Sequence, residues 1–462
     1  DSILKIMAGE RFTPFTLANK LGAQVILESS SFKKGKERYS ILLVKEAFRV
    51  VQEGETVWLE SDGTKKTVKS RGKDILDILL YFANQHTSLH QDLPLPAGGI
   101  GFLSYEFASR CDTIRFFKKK DELNLPDAAF LFGHIFIIFD HFSDVLYLIG
   151  LNYKEHEIDL KKAIEETEEH INDLNFNYLS MKEKKYETNV LLSNAEKVNF
   201  YQGVEKVKEE IVKGNLLQGV LSRRIRIRTQ LPALEAYKQL RSSNPSPYLF
   251  YIDFGNYQLF GSSPEVHVKV KDDHVSIRPI AGTRRRGKNA GEDAELEKEL
   301  LGDEKERAEH LMLVDLARND LGRFCVPGTV NVTEYMGIEY YSHVIHIVSQ
   351  VEGKLAEGAT GADAIRATFP AGTVSGAPKI RAVEVIDGIE EEPRRFYAGL
   401  VGYMEPGGSL DTCITIRSAY KSDDLLVLQA GAGIVFDSTP KREYEETNEK
   451  LMALAKAVGV EV

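Results

Sequence analysis

Short apolar runs bounded by turn residues recur along this chain, and they do not alternate strictly with helices. Residues 23–27, 39–44 and 135–139 are strand-like in the first third. Residues 219–228, 248–253, 266–270, 275–279, 344–351, 398–404, 413–420 and 425–430 follow the same pattern later on. Many are joined by hairpin-length turns, whereas a doubly wound parallel sheet needs a helix between successive strands. The pattern therefore predicts an α+β layered fold with large antiparallel sheets and helices packed outside. At 462 residues the chain exceeds what one core usually organises, so two domains or one large composite fold are expected. Residues 153–187 are rich in Lys and Glu; Ile158, Ala163 and Ile164 suggest an exposed helix there, and 180–186 a linker. The boundary falls near 185, between a region 1–185 and a region 190–462.

Composition narrows the function. A net charge of −10 argues against a nucleic-acid partner, although local arginines can still make a pocket for an anion. Cys111, Cys325 and Cys413 have no paired spacing, which fits a reducing compartment and excludes a cysteine zinc site. No signal-peptide pattern opens the chain, so a cytoplasmic protein is expected. The longest apolar stretch, 130–142, contains His134, Asp140 and His141 and reads as a buried strand rather than a membrane span.

Two helical segments carry acids at the same spacing: Glu306/Glu309 and Glu443/Glu446. Residues i and i+3 are neighbours on a helix face. Leu313 and Leu316 continue the face of Glu309, and Leu454 that of Glu446, so these acids are expected to face inward. A lone Glu-x-x-Glu is usually a solvated face. Four inward acids are costly without a cation. A hard divalent ion such as Mg2+, bound by few carboxylates, meets that need.

Other residues leave alternatives open. Gly431-Ala432-Gly433, after the strand 425–430, is either a tight turn or a set of N–H groups aimed at a carboxylate. Arg417 ends an apolar run and either pairs with a protein acid or forks onto an anionic ligand. Lys450, four residues after Glu446, is a salt-bridge partner or a second anion contact. His343 and His346 flank a strand and are structural or acid–base groups. The small-residue loop 369–379 is a candidate anion cradle, but its spacing is not that of a P-loop. Together these residues predict a magnesium-dependent site for a small polycarboxylate in the C-terminal two-thirds.

Five collinear blocks resemble the chorismate-utilising enzymes, and within them the anthranilate synthase large subunits. They are Pro279-Ile-Ala-Gly-Thr-Arg284, Glu309-His-Leu-Met-Leu-Val-Asp-Leu-Ala-Arg-Asn-Asp320, Gly372-Thr-Val-Ser-Gly-Ala-Pro-Lys379, Asp411-Thr-Cys-Ile-Thr-Ile-Arg417 and Gln429-Ala-Gly-Ala-Gly433. The resemblance implies that Glu309 and Glu446 ligate Mg2+ directly, with Glu306 and Glu443 acting through its water. It implies that Gly431, Ala432 and Gly433 meet the ring carboxylate of chorismate, and that Tyr397 and Arg417, with Lys450 nearby, clamp the enolpyruvyl carboxylate. His346, not His343, matches the acid–base histidine, and Thr373 a substrate contact. The implied chemistry is ammonia addition at ring carbon 2 with loss of the carbon-4 hydroxyl, followed by elimination of pyruvate. The family's two portions are intertwined, which is expected here too.

Two positions bear on the subfamily. Gln218 stands where isochorismate and salicylate synthases resemble one another in carrying a water-activating lysine. Ala281 stands where many aminodeoxychorismate synthases carry a nucleophilic lysine. Both favour ammonia as the attacker. Glu28, Ser29 and Ser30 resemble a tryptophan feedback motif, with Pro247, Tyr248, Leu249 and Phe250 as a second wall and Cys413 as a third contact. L-Tryptophan is thus an implied inhibitor. No glutaminase nucleophile elbow is present, so a separate glutamine amidotransferase subunit is the implied ammonia source. The alternatives are an aminodeoxychorismate synthase and a non-catalytic tryptophan-binding regulatory paralogue.

Overall fold

Alternation along the strands explains the architecture. In the strand Tyr39–Glu53, Ile41 and Leu43 enter one core while Leu42, between them, enters another. In Ala128–Asp140, Phe136 and Ile138 face the first core and Ile135, Ile137 and Phe139 the second. Phe250 and Ile252 likewise part from Leu249 and Tyr251 in Tyr248–Asp253. Side chains alternate with period two, so apolar residues at both parities mean a sheet covered on both faces. Helices pack into both cores. Ile75–Ala83 and Gly361–Thr368 enter the first through Leu79 and Ile365, and Pro14–Leu21, Leu160–Asn172, Ala233–Ser243 and Pro440–Ala457 enter the second through Leu17, Ile164, Tyr237 and Leu454. The helices thus lie outside the sheet, as hairpin-linked strands require.

The computed structural model describes residues 1–31, 35–36, 38–68, 72–90, 92–175, 185–191, 194–341 and 344–460. Their strands form an antiparallel network of 22, with one further two-stranded hairpin. Val25–Glu28 pairs with Tyr248–Asp253, placing Leu249 opposite Glu28. Ile100–Leu103 pairs with Leu400–Met404, placing Leu400 opposite Leu103. Strands from either side of residue 185 therefore hydrogen-bond to one another. The apolar stretch 130–142 lies largely in the fully buried strand Ala128–Asp140. Its polar residues are satisfied internally: Asp140 accepts from Arg38 at 3.1 Å, and His134 pairs with His156 at 2.8 Å. No helix among the described residues is long and apolar enough to cross a membrane.

Three expectations about elements change. The helix Leu160–Asn172 is docked, burying Leu160, Ala163, Ile164 and Ile171, because its apolar stripe covers the strand Val145–Leu151. The linker 180–186 lies mostly outside the described residues. The run 413–420 is not one strand. It breaks into Leu410–Ile414 and Ser418–Ser422, with Arg417 between them at φ 51°. The first piece pairs with Leu400–Met404 and Val266–Lys271, the second with Gln258–Ser263 and Leu425–Ile434. A left-handed residue lets the chain change partners, at a cost of about 1 kcal/mol or more for a side chain with a Cβ. Finally, the strand expected over 425–430 continues to Ile434.

Candidate active site

The floor of the site is the pair Gln218–Thr229 and Leu425–Ile434, with Ser222 opposite Gly431 and Val220 opposite Gly433. Gly431 and Gly433 are therefore strand residues rather than a turn. What they supply is room. A Cβ at Gly431 would lie 2.8 Å from the Tyr397 Oη, and one at Gly433 would lie 2.3 Å from the Gln218 Nε2. Ala432 faces the other way, into a cluster with Leu221 and Ala382, so only its main chain belongs to the site. Gln218 donates to Glu309 Oε1 at 3.1 Å.

Two helices bring the acids over this floor. Asp303 caps the helix Glu304–Gly322 by accepting from the backbone N–H groups of Lys305 and Glu306. Arg284 then donates to Glu306 at 3.0 Å and to Asp303 at 2.8 Å. Burial pushes the Glu309 carboxyl up, and the charges of Glu306 and Glu446 push it further. On the helix Pro440–Ala457, burial also raises Glu443, with Glu446 adding to it. Burial works the same way on Glu446, but Lys450 outweighs it and leaves that carboxyl below its usual range. Lys450 Nζ lies 2.6 Å from Glu446 Oε1 and donates to the Gly431 carbonyl at 2.8 Å. Lys450 is thus a salt-bridge partner of Glu446.

The donor set fits a hard divalent cation in chemistry. All four groups are carboxylates, and Glu309 and Glu443 are raised first by burial and then by neighbouring acids, a charge cost that a cation relieves. It is an open set. Among the described residues no three acid, histidine or cysteine groups converge closely enough to enclose a metal ion. Glu306 is already engaged by Arg284.

The opposite wall carries the proton-active groups. His346 lies on the strand Val344–Lys354, opposite Thr283. Its Nδ1 is 3.0 Å from the Gly282 carbonyl, which can only accept. Nδ1 therefore carries the hydrogen, and Nε2 presents a lone pair. Burial pushes the ring down to about 4, so it is neutral at physiological pH. Ala281 is paired with Ile347 on the neighbouring strand. His343 lies outside the described residues. Thr373 sits in the short turn Gly372–Val374 with a buried hydroxyl. Tyr397 is buried, and its hydroxyl meets the Gly431 backbone. Arg417 makes no salt bridge or side-chain hydrogen bond among the described residues, while Tyr397, Glu265 and Glu446 lie within electrostatic reach. It is the anion-binding alternative for Arg417 that this geometry supports.

Two residues escaped the reading of the sequence. Burial pushes the Glu265 carboxyl up to about 8, against the pull of Thr373, Arg417 and Lys450. This is a buried acid that keeps its proton at neutral pH, inside the site. The signal for it was Ser263-Pro264-Glu265, an acid fixed at the end of an apolar strand. Arg394 is fully buried and donates to the Val374 and Val220 carbonyls at 2.7 and 2.6 Å, while pairing with Glu390 at 2.9 Å. It ties the Thr373 turn to the floor strand and lies against the Tyr397 ring.

A separate cavity of ≈ 660 Å³ gathers the other group of residues. Glu28, Ser29, Pro247, Tyr248, Leu249, Phe250 and Cys413 all line it. Ser30 does not line it: its N–H is spent on the Ser246 carbonyl at 3.0 Å. Glu28 is held by Arg241 through two 2.8 Å bonds and by Tyr237 at 2.6 Å. The cavity approaches the segments that carry Glu265 and His346 at two places. Pro264 and Val266 line it on either side of Glu265. Tyr341 lines it too, and its ring packs edge-on against His346 at 5.3 Å.

This fold and site have known counterparts. Residues 41–456 match the family described as chorismate binding enzyme, and the chain belongs to that family. Anthranilate synthase component 1 of Spirochaeta aurantia is 59% identical over 464 aligned positions, covering 100% of this chain and 96% of that protein. The component 1 of Aquifex aeolicus is 39% identical, covering 97% and 92%. The crystal structure of anthranilate synthase component I from Streptococcus pneumoniae TIGR4 superposes with a TM-score of 0.80 at 36% identity, over 90% of this chain and 92% of that one.

Proposed function

We propose that this chain is the catalytic large subunit of an anthranilate synthase, converting chorismate and ammonia to anthranilate and pyruvate for tryptophan biosynthesis. The observation that carries the reading is the pairing of an uncommitted Arg417, beside Tyr397, with a protonated Glu265. A dicarboxylate needs a cation to dock, and departure of a hydroxyl needs a proton donor. Glu265 gives its proton to the carbon-4 hydroxyl as ammonia adds at carbon 2, so the oxygen leaves as water. His346, with a free lone pair at Nε2, is suited to take the carbon-2 proton as pyruvate departs and the ring becomes aromatic. Gly431 and Gly433 keep the floor open to the ring carboxylate. Mg2+, held by Glu309 and Glu446 with Glu306 and Glu443 beside them, would neutralise that carboxylate. Arg284 competes for Glu306, which supports an indirect role for it. Gln218, neutral and bound to Glu309, is no base for activating water. Ammonia would come from a separate glutaminase subunit.

The ≈ 660 Å³ cavity is proposed as the seat of tryptophan inhibition. Its walls at Pro264–Val266 and Tyr341 touch the segments that hold Glu265 and His346. Tryptophan there would favour a placement of those segments with lower chorismate affinity, and chorismate would weaken tryptophan binding by the same factor.

The test is incubation of the purified chain with chorismate, Mg2+ and ammonium, following anthranilate fluorescence and identifying products by mass. Anthranilate with equimolar pyruvate is expected. An amino-chorismate without pyruvate would replace this reading with an aminodeoxychorismate synthase. Chorismate binding without turnover by folded protein would refute a catalytic role with ammonium.

A further inference from the structure

Behind Thr373 lies a small cleft of ≈ 30 Å³, lined by Glu265, His267, Asp320, Thr368 and Thr373. Glu265 immediately precedes the strand Val266–Lys271 and His267 lies near its start, and both line the cleft. His267 is 2% exposed, and its Nε2 lies 3.1 Å from Thr368 Oγ1. That hydroxyl spends its own hydrogen on the Ala364 carbonyl at 2.8 Å. It therefore accepts from His267, so the ring hydrogen is on Nε2 and Nδ1 is a bare lone pair. Burial and the nearby Lys379 ammonium keep the ring neutral. This Nδ1 is buried and has no hydrogen-bond partner among the described residues. The Thr373 hydroxyl is in the same condition: it lies near enough to Glu265 to favour its charged form, yet without hydrogen-bond geometry. A buried polar atom left dry carries an uncompensated desolvation penalty, and here two of them line one cleft. One water needs roughly 10–15 Å³ of such space.

We propose that this cleft is a built site for one ordered water molecule, positioned by His267 and serving the Glu265 carboxyl. A water that donates one hydrogen to Nδ1 keeps its second hydrogen and its lone pairs. It accepts from Glu265 when the acid is protonated and donates to it after the proton has gone to substrate. Both protonation states of the acid are thereby satisfied through a turnover, with Thr373 as the water's other neighbour. At the far end Lys379 and Asp320 neutralise each other at 2.8 Å, so the cleft itself carries no net charge from that pair. His267 touches no reacting atom and is a positioning residue. The water's part in turnover rests on the anthranilate synthase reading; its seat does not.

A crystal structure of the full chain at a resolution that shows waters tests the seat directly. Density within hydrogen-bond distance of His267 Nδ1 is expected, and its absence would overturn the proposal. Two variants test the role. His267→Phe keeps an aromatic ring against Phe369 and removes the acceptor. His267→Asn keeps an acceptor near the Nδ1 position. With ammonium as co-substrate, the Phe variant should lose the water and about tenfold in kcat, as for one missing hydrogen bond, with the chorismate KM unchanged. The Asn variant should retain the water and most of kcat. A Phe variant with wild-type kcat, or one whose loss is confined to KM, would overturn the role. Equal losses in the Asn and Phe variants, with unchanged melting temperatures, would do the same. Turnover by the unmodified chain in the same preparation judges the anthranilate reading separately.

Discussion

Glu265→Gln should make this protein more stable and nearly inactive. The carboxyl moves from an ordinary value of 4.5 in the unfolded chain up to about 8 in the folded one. Below 4.5 both states hold the proton, and the group has no effect on stability. Between 4.5 and 8 the unfolded chain releases the proton while the folded chain keeps it, so stability falls as pH rises. Each pH unit in that window costs about 1.4 kcal/mol, which accumulates to about 3 kcal/mol by pH 7. Glutamine fills the same volume and does not titrate, so the variant escapes this cost. Melting temperatures of both proteins at pH 5 and pH 7.5 provide the assay. The variant's advantage should widen markedly at the higher pH. Its ammonium-dependent kcat should fall by about 10²–10⁴, the usual contribution of a general acid, with chorismate binding retained. The unmodified enzyme should lose activity above about pH 8 as Glu265 ionises. A stability difference that stays flat between pH 5 and 7.5 would refute the buried-acid reasoning. So would a variant that keeps its activity.

Gly433→Ala places a methyl 2.3 Å from the Gln218 Nε2, which must then leave Glu309. The kcat/KM for chorismate should fall about tenfold or more, for the value of a hydrogen bond to a charged group, while circular dichroism stays unchanged. Mg2+ should raise the melting temperature of the unmodified protein by relieving the crowded carboxylates. Glu309→Gln should abolish that shift, and an equal shift in the variant would exclude Glu309 as a ligand. Val266→Ala trims the wall between the large cavity and Glu265. Tryptophan should then inhibit several-fold less effectively at unchanged kcat. Unaltered inhibition would mean that coupling runs elsewhere, with the Tyr341 contact on His346 the next segment to perturb.

How much of this was legible in the sequence depends on how local the cause is. The acids at 306, 309, 443 and 446 were readable because i,i+3 spacing on a helix needs no knowledge of the rest of the fold. The antiparallel sheets were readable because hairpin turns are local. What pairs Val25–Glu28 with Tyr248–Asp253 is complementarity across more than two hundred residues, which no window along the chain contains. Arg284 was visible as part of a motif, but its bond to Glu306 is a consequence of the adjoining strand meeting that helix. Gly431 and Gly433 invited the reading of a turn. Glycine after an apolar run suggests a turn. Here the strand runs on, and the missing Cβ atoms admit Tyr397 and Gln218, which arrive from elsewhere in the chain.

Arg417 and Glu265 carry that distinction into the chemistry. An arginine closing an apolar run looks like the end of a strand. Its φ of 51° shows that it is the hinge by which the chain leaves one pairing for another. Its carbonyl still accepts from the Ser262 N–H at 3.0 Å, while its guanidinium has no salt-bridge partner among the described residues. Glu265 follows two residues after the end of the strand Gln258–Ser263, with Pro264 between them. It has no periodic signature, and only its burial keeps the proton on. Both residues are costly to the fold, one in backbone strain and one in desolvation. Structure tolerates such costs where surrounding packing is strong enough to impose them, and substrate recovers the benefit. These two positions, rather than the readily seen acid pairs, are where stability and activity should move in opposite directions on mutation.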